Sequence, residues 1–327
     1  MKLSIKDIRK ITFGALSVTE ENGVFTFHRF TDEQKSVYAT EHPEFRRRSD
    51  STASVILDFL TDSDILSFDY ETESKVGPHR DYAFFDIWEN DVMIAHKGAY
   101  FEELRQDSVS IKLSSGKKRV RVFFPNLFKM TVSNFTLSDG AELIPIKKKL
   151  RALILGDSIT HGYEAHFPSL TYANTIIRNF ELDAVNQAIG GEIFRPSILG
   201  SAPLFDPDIV TVALGTNDWS GATLSLERCR VYFETLKKFY SRARIFYISP
   251  IWRKDFERKT DVGSFSAAVL ALEKLADELN ITVIHGAELA HHTEEFFTDG
   301  LHPNDLGFAQ YAVALTEKLK ALGVEKL

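Results

Sequence analysis

Residues 151–162 read RALILGDSITHG. Ala152, Leu153, Ile154 and Leu155 form a short, continuous apolar run, the pattern of a strand buried on both faces. The run stops abruptly at Gly156, Asp157 and Ser158. A small residue, an acid and a hydroxyl at the carboxyl end of a buried strand stand at the edge where open α/β sheets place their chemistry. Gly156 permits a tight turn. Ser158 then falls at the start of the next helix, where free backbone N–H groups can meet developing negative charge. A simple helix cap by Asp157 or Ser158 fits this stretch equally well.

Downstream, the pattern of strand followed by helix repeats. Apolar runs at 182–186, 209–214, 243–249 and 281–284 read as strands. Between and after them lie helical periods: 226–239, the series Val262, Phe265, Val269, Leu272, Leu275 and Leu279, and 306–319. Strands alternating with helices predict a three-layer α/β/α domain with about five parallel strands and right-handed crossovers. Three further polar or glycine-rich clusters fall at strand exits or a helix entry. They are Asn186 to Gly191 (NQAIGG), Gly215 to Asp218 (GTND) and Asp299 to Asn304 (DGLHPN). In a parallel sheet such positions converge on one edge.

These clusters divide the labour of acyl transfer. A serine hydroxyl needs a base to take its proton. His302, in a turn fixed by Pro303, is the candidate base for Ser158. Asp299, three residues earlier, can reach the far ring nitrogen of that histidine and orient it. The oxyanion needs donors: the Ser158 backbone N–H, the Gly191 backbone N–H, which has no side chain to hold the substrate away, and the neutral side-chain amide of Asn217. Asp157, which would also brace the turn, joins His161, Tyr163, Arg195, Trp219 and Trp252 as expected pocket residues. The lysine of a P-loop is missing after Gly156, so no nucleotide cradle is expected there. No metal and no other cofactor are expected either.

The four clusters resemble the sequence blocks of the SGNH, or GDSL-type, hydrolase superfamily. GDSIT at 156–160 matches the nucleophile block, 186–191 the glycine block, GTND at 215–218 the asparagine block, and DGLHP at 299–303 the Asp-x-x-His block. The resemblance spans the second half of the chain in the right order. It implies a flavodoxin-like sheet and a Ser-His-Asp esterase mechanism through an acyl-enzyme. Some relatives lack the triad aspartate, whereas this chain has Asp299.

The first half reads differently. Short alternating or apolar runs at 24–30, 55–59, 65–71, 83–88, 92–95, 109–113, 120–124 and 129–137 are separated by turn signals such as Glu89-Asn90-Asp91 and Ser114-Ser115-Gly116. No stretch carries a long helical period. The prediction is an all-β sandwich or jelly roll over 1–147, then the hydrolase domain over 148–327. The charged run Lys147-Lys148-Lys149 is expected as an exposed connector. His28, His42, His79 and His96 are scattered without metal-ligand spacing, and Arg46-Arg47-Arg48 reads as solvated surface or a domain contact. This order of domains resembles the two-domain carbohydrate esterases of the second family, with the sandwich covering or extending the site.

Composition narrows the partners. The 327 residues carry a formal net charge of −7 with acids and bases interspersed, which argues against a nucleic-acid or anionic-membrane surface. A single cysteine, Cys229, excludes an intrachain disulfide. No run reaches membrane-spanning length, and the charged N-terminal stretch lacks a signal-peptide core. The simplest reading is a cytoplasmic serine esterase that removes small acyl groups, acetyl above all, from a carbohydrate or oligosaccharide. The alternatives are a general short-chain acylesterase, a lysophospholipase or thioesterase, and an inactive carbohydrate-binding or scaffold protein.

Overall fold

The computed structural model describes residues 1–77, 80–100 and 105–325. His79 lies outside the described residues. The chain divides into two units. They are not the contiguous halves expected at 1–147 and 148–327. The first unit comprises Met1–Thr31, Arg46–Lys148 and His166–Ser169, and the second comprises Asp32–Phe45, Lys149–Ala165 and Leu170–Leu327.

The first unit contains two antiparallel sheets. One runs in the order Ser17–Glu21, Val24–His28, Phe128–Leu137, Ile65–Lys75 and Gln106–Lys112. The other runs Thr12–Phe13, Ile56–Thr61, Lys118–Phe123, Tyr82–Glu89 and Val92–Tyr100, with Ile144–Pro145 paired to Ile56–Thr61. Alternation explains the burial: Leu66, Phe68, Tyr70 and Thr72 are buried while their odd-numbered neighbours from 65 to 71 are not. Rings of the two sheets meet. Phe68 lies 5.1 Å from Phe85, Tyr70 5.1 Å from Phe85, and Phe59 6.5 Å from Phe135.

Two expectations for this unit need correction. Lys148 is not an exposed connector residue; its ammonium is buried against Asp58 at 3.3 Å and over the Phe13 ring at 4.2 Å. The Arg46–Arg48 run is not simply solvated. Arg46 pairs with Asp50, while Arg47 and Arg48 donate to the carbonyls of Lys75 and Val76. In the first half of the sequence, helices also stand where the pattern suggested none: Ile5–Ile11, Asp32–Glu41, which belongs to the second unit, and Pro43–Arg48. Helix Asp32–Glu41 buries Gln34, Lys35 and Tyr38, a face too polar to register as an apolar period.

The second unit holds a five-stranded parallel sheet in the order Leu182–Asn186, Leu150–Gly156, Ile209–Ala213, Arg244–Ile248 and Thr282–Ile284. Numbered along the chain this is 2-1-3-4-5, so the strand order reverses beside the first strand. Helix Tyr172–Asn179 packs on Asp305–Ala321, and Leu226–Phe239 packs on Phe265–Glu278. The last three of these helices begin at side-chain caps: Ser225 accepts from Arg228 N–H, Ser264 from Ala267 N–H and Asn304 from Gly307 N–H. Among the described residues no helix is long and apolar enough to cross a membrane.

Candidate active site

The carboxyl ends of the first three strands and the entry of the last helix supply the site. The strand Leu150–Gly156 passes directly into the short helix Ser158–His161. Gly156 is required there, because a Cβ would stand 2.1 Å from Thr160 Oγ1. Asp157 caps the helix, its Oδ1 accepting from Ile159 N–H at 3.0 Å. Ser158 is therefore the first helical residue, a position whose N–H has no acceptor within the helix.

His302 comes to this serine from the far end of the chain. Its Nε2 is 2.8 Å from Ser158 Oγ, and its Nδ1 is 2.7 Å from Asp299 Oδ2. Asp299 Oδ1 accepts from the backbone N–H groups of Leu301 and His302, at 3.0 and 2.8 Å. A carboxylate can only accept, so Nδ1 carries its proton and Nε2 is left to accept from the serine hydroxyl. Partial burial alone would raise the Asp299 carboxyl. The hydrogen bonds from the His302 ring and backbone outweigh it and hold the group well below the ordinary carboxylate range. The chain Ser-His-Asp can thus take a proton from the hydroxyl and stabilise the imidazolium that forms.

Asp157 behaves differently. It is buried, and that burial pushes its carboxyl up to about 7, against the opposing effects of the Ile159 N–H and His302. It lines a small cavity with Thr160, Leu214 and Tyr311.

The glycine cluster continues the second strand. Gln187 N–H donates to Ile154 O and Ile189 N–H to Gly156 O, so the cluster runs alongside the turn that holds Ser158. Asn186 ties the two together, donating from Nδ2 to Thr160 O at 3.0 Å. Gly191 has φ +88°, a left-handed conformation that favours glycine. At Gly190, a Cβ would stand 2.2 Å from the Tyr163 hydroxyl oxygen. Asn217, on the helix Thr216–Ser220, donates from Nδ2 to Glu192 O at 3.0 Å. A primary amide has two N–H bonds, so a second remains for an oxyanion.

The expected pocket residues separate into different places. His161 does not line the mouth: it is buried and its Nδ1 accepts from Gly190 N–H at 3.3 Å. Tyr163 is buried between the His161 ring at 5.3 Å and the His302 ring at 5.7 Å. Arg195 is engaged by two carboxylates, Glu192 at 3.0 Å and Glu41 at 2.5 Å. Trp219 is 0% exposed, packed on Phe265 with its indole N–H donating to Gly263 O. Its place on a helix facing the protein, not its position after GTND, sets that burial. Trp252 is half-buried beside Phe297 and lines an apolar groove of about 680 Å³ with Phe256, Phe265 and Leu270.

Other residues gather around the site. Arg253 is buried and donates to Thr216 Oγ1 at 2.9 Å, bracing the asparagine block. Glu164, at φ +67°, brings its carboxylate near Asp299 and His302, with one ligand atom of each within 4.8 Å of the others. That spacing would suit a cation. Both His302 nitrogens are already engaged, however, so a metal there would dismantle the Ser158–His302–Asp299 chain. From the first half of the sequence, Gln34 also reaches Gln187 in the glycine cluster, and Tyr38 and Glu41 reach Glu192 and Arg195 just after it.

The comparisons agree with the geometry. Residues 154–310 match the GDSL-like lipase/acylhydrolase family. No curated protein matches the sequence. Among solved structures, a salicylyl-acyltransferase from a tetracycline biosynthetic pathway is similar at TM-score 0.79 and 20% identity, covering 96% of this chain and 94% of that one. A GDSL-like lipase candidate from Bacteroides ovatus gives TM-score 0.76 and 15% identity, covering 98% and 97%. A family two carbohydrate esterase from Clostridium thermocellum, in complex with cellohexaose, gives 0.62 and 14%, covering 92% and 100%. Residues 154–310 thus form a GDSL-like lipase/acylhydrolase domain of the SGNH type, and the protein is an esterase.

Proposed function

We propose that Ser158 is the nucleophile, His302 the general base and acid, and Asp299 the group that orients His302. The backbone N–H groups of Ser158 and Gly191 and the side chain of Asn217 form the oxyanion hole. The observation that carries this is the continuous chain of contacts at 2.8 and 2.7 Å from Ser158 Oγ through His302 to Asp299. Ser158 attacks the ester carbonyl as His302 takes its proton. The alcohol leaves with that proton, and water then hydrolyses the acyl-serine by the reverse transfer. The substrate is an O-acetylated carbohydrate. The likeness to family two carbohydrate esterases, one of them holding cellohexaose, supports that choice. The first unit, with aromatic rings of its two sheets in contact, serves as a β-sandwich accessory domain.

The salicylyl-acyltransferase likeness favours one second reading, transfer of the acyl group to an alcohol other than water. One experiment separates the two. Acetylated xylo- and gluco-oligosaccharides, and acetyl, butyryl and octanoyl esters, are supplied with chelator, with and without a sugar alcohol as acceptor, and released acid and transferred acyl are both measured. Acid release that is fastest on acetylated sugars and abolished in Ser158→Ala supports the proposal. Rates rising with chain length to octanoyl overturn the sugar-acetyl substrate. Acyl appearing mainly on the added alcohol establishes transfer instead.

A further inference from the structure

Glu192 is a buried carboxylate directly after Gly191, and the proposed mechanism gives it no task. Three directed hydrogen bonds hold its side chain. Its Oε2 accepts from the Tyr38 hydroxyl at 2.5 Å, and its Oε1 accepts from Arg195 Nε at 3.0 Å and from Ile193 N–H at 3.1 Å. Arg195 is in turn held by Glu41 at 2.5 Å and lies over the Phe45 ring at 5.6 Å. Tyr38, Glu41 and Phe45 all come from the segment Asp32–Phe45, which joins the second unit from the first half of the chain. The same segment makes a reciprocal amide pair, with each of Gln34 and Gln187 donating to the other at 2.9 Å.

The main chain of Glu192 points the other way in function. Its N–H donates to Ile189 O, closing the turn that contains Gly191, and its carbonyl accepts from Asn217 Nδ2 at 3.0 Å. A planar amide with one N–H anchored has the direction of its second N–H set as well. One residue therefore links the segment Asp32–Phe45 to both proposed oxyanion donors outside the nucleophile turn. A buried carboxylate is an expensive way to fill space, and an apolar side chain would do it better. Three directed hydrogen bonds instead fix a single rotamer and, through it, a single peptide plane.

We propose that Glu192 is a positioning residue, clamped by Tyr38 and Arg195 so that its peptide carbonyl and the Gly191 turn hold the oxyanion donors in place. This rests on the assignment of Gly191 and Asn217 above. Oxyanion donors act through alignment with a charge present only in the transition state, so the clamp should act on kcat and not on KM.

The test uses the full chain with p-nitrophenyl acetate. Tyr38→Phe removes only a hydroxyl and keeps the ring, with its edge contact to Phe45 at 5.8 Å. Glu192→Gln keeps the shape and removes the charge. Each is made in the wild type and in Asn217→Ala, and kcat, KM and thermal midpoint are measured. The expected result is a kcat lower by about 10- to 100-fold with KM within about twofold, since misplacement on the order of 1 Å costs about that much. In the Asn217→Ala background the same substitutions should cost less than about threefold, because coupled groups are not additive. An unchanged kcat in Tyr38→Phe overturns the proposal. So does an equal loss in both backgrounds, which would mark a purely structural role. If Glu192→Gln does not fold, Tyr38→Phe decides alone. Full activity in Ser158→Ala would instead overturn the site assignment itself, a separate failure.

Discussion

At the scale of single residues, the site is a set of side chains whose charge states their surroundings decide. Asn217 is neutral, half-buried and anchored at 3.0 Å to Glu192 O, so it can offer a preorganised N–H without a competing ion pair. Asn217→Ala should lower kcat by about 10²- to 10³-fold, roughly 3 kcal/mol, while KM stays near the wild-type value. Steady-state kinetics on an acetyl ester checks this, and a change confined to KM would make Asn217 a binding residue. Asp157 gives a stability prediction. Its carboxyl is pushed up to about 7 in the folded protein by burial, from an ordinary value of 3.8. Between those values the folded state holds a proton that the unfolded state has lost, so this group favours folding at the acid end and its contribution declines as pH rises through the window. Asn at this position still accepts from Ile159 N–H. Asp157→Asn should therefore flatten the dependence of thermal midpoint on pH between about 4 and 7. An unchanged slope would place the titration elsewhere. Asp299 has the opposite sign: held below its ordinary value, it contributes stability above that value, and the contribution fades as pH falls below it.

At the scale of elements, the strand-to-helix junction at Gly156 sets where Ser158 stands. The helix Ser158–His161 folds back so closely that Thr160 sits over the end of its own strand. Gly156→Ala would drive a methyl to 2.1 Å from Thr160 Oγ1. Thr160 cannot simply turn away, because Oγ1 is held by the Tyr172 hydroxyl at 2.6 Å and Tyr172 is stacked on Tyr311 at 4.2 Å. The expected cost is about 1–3 kcal/mol of stability, as for other overpacked cores, with a larger proportional loss in kcat because the serine moves with the helix. Urea unfolding and kinetics on one preparation check both. A stable variant with full activity would show that the junction is looser than its packing indicates. The helix Asp32–Glu41 makes the complementary point. It is amphipathic in hydrogen bonding and not in hydropathy: Gln34 and Tyr38 are buried, Gln34 donating to Gln187 in the glycine cluster and Tyr38 to Glu192 just after it.

At the scale of the whole molecule, the chain crosses between units more often than its sequence pattern suggests. Residues 32–45 belong with the second unit although 1–31 and 46–148 do not. Cooperative units open together, so amide exchange in 32–45 should follow the unit whose contacts hold it. Leu272 and Phe59 are both 0% exposed, in the second and first units respectively. Leu272→Ala should cost about 2–5 kcal/mol and Phe59→Ala about 3–5 kcal/mol. Exchange measured by mass spectrometry should accelerate in 32–45 with Leu272→Ala and stay near the wild-type rate with Phe59→Ala. The reverse pattern would assign the segment energetically to the first unit.

The sequence alone determined the parallel sheet and the four clusters around it. Buried strands and capped helices are local patterns: the run 152–155 needs only its own apolar residues, and the helix Leu226–Phe239 needs only Ser225 and its own period. The spacing of Asp299 and His302 is likewise local, one turn of chain, and the structure brings their side chains to 2.7 Å. What surrounds them was decided by tertiary structure, because burial is a property of neighbours distant in sequence. Trp219 and Arg195 sit beside two of the clusters, yet one is sealed against Phe265 and the other is bound between Glu192 and Glu41. Tyr38 lies 154 residues from Glu192 and is hydrogen-bonded to it. No period or motif connects them; the folding of residues 32–45 into the second unit adds the Tyr38 hydroxyl to the nearby Arg195 and Ile193 donors, and a buried charge must find its partners wherever in the chain they lie.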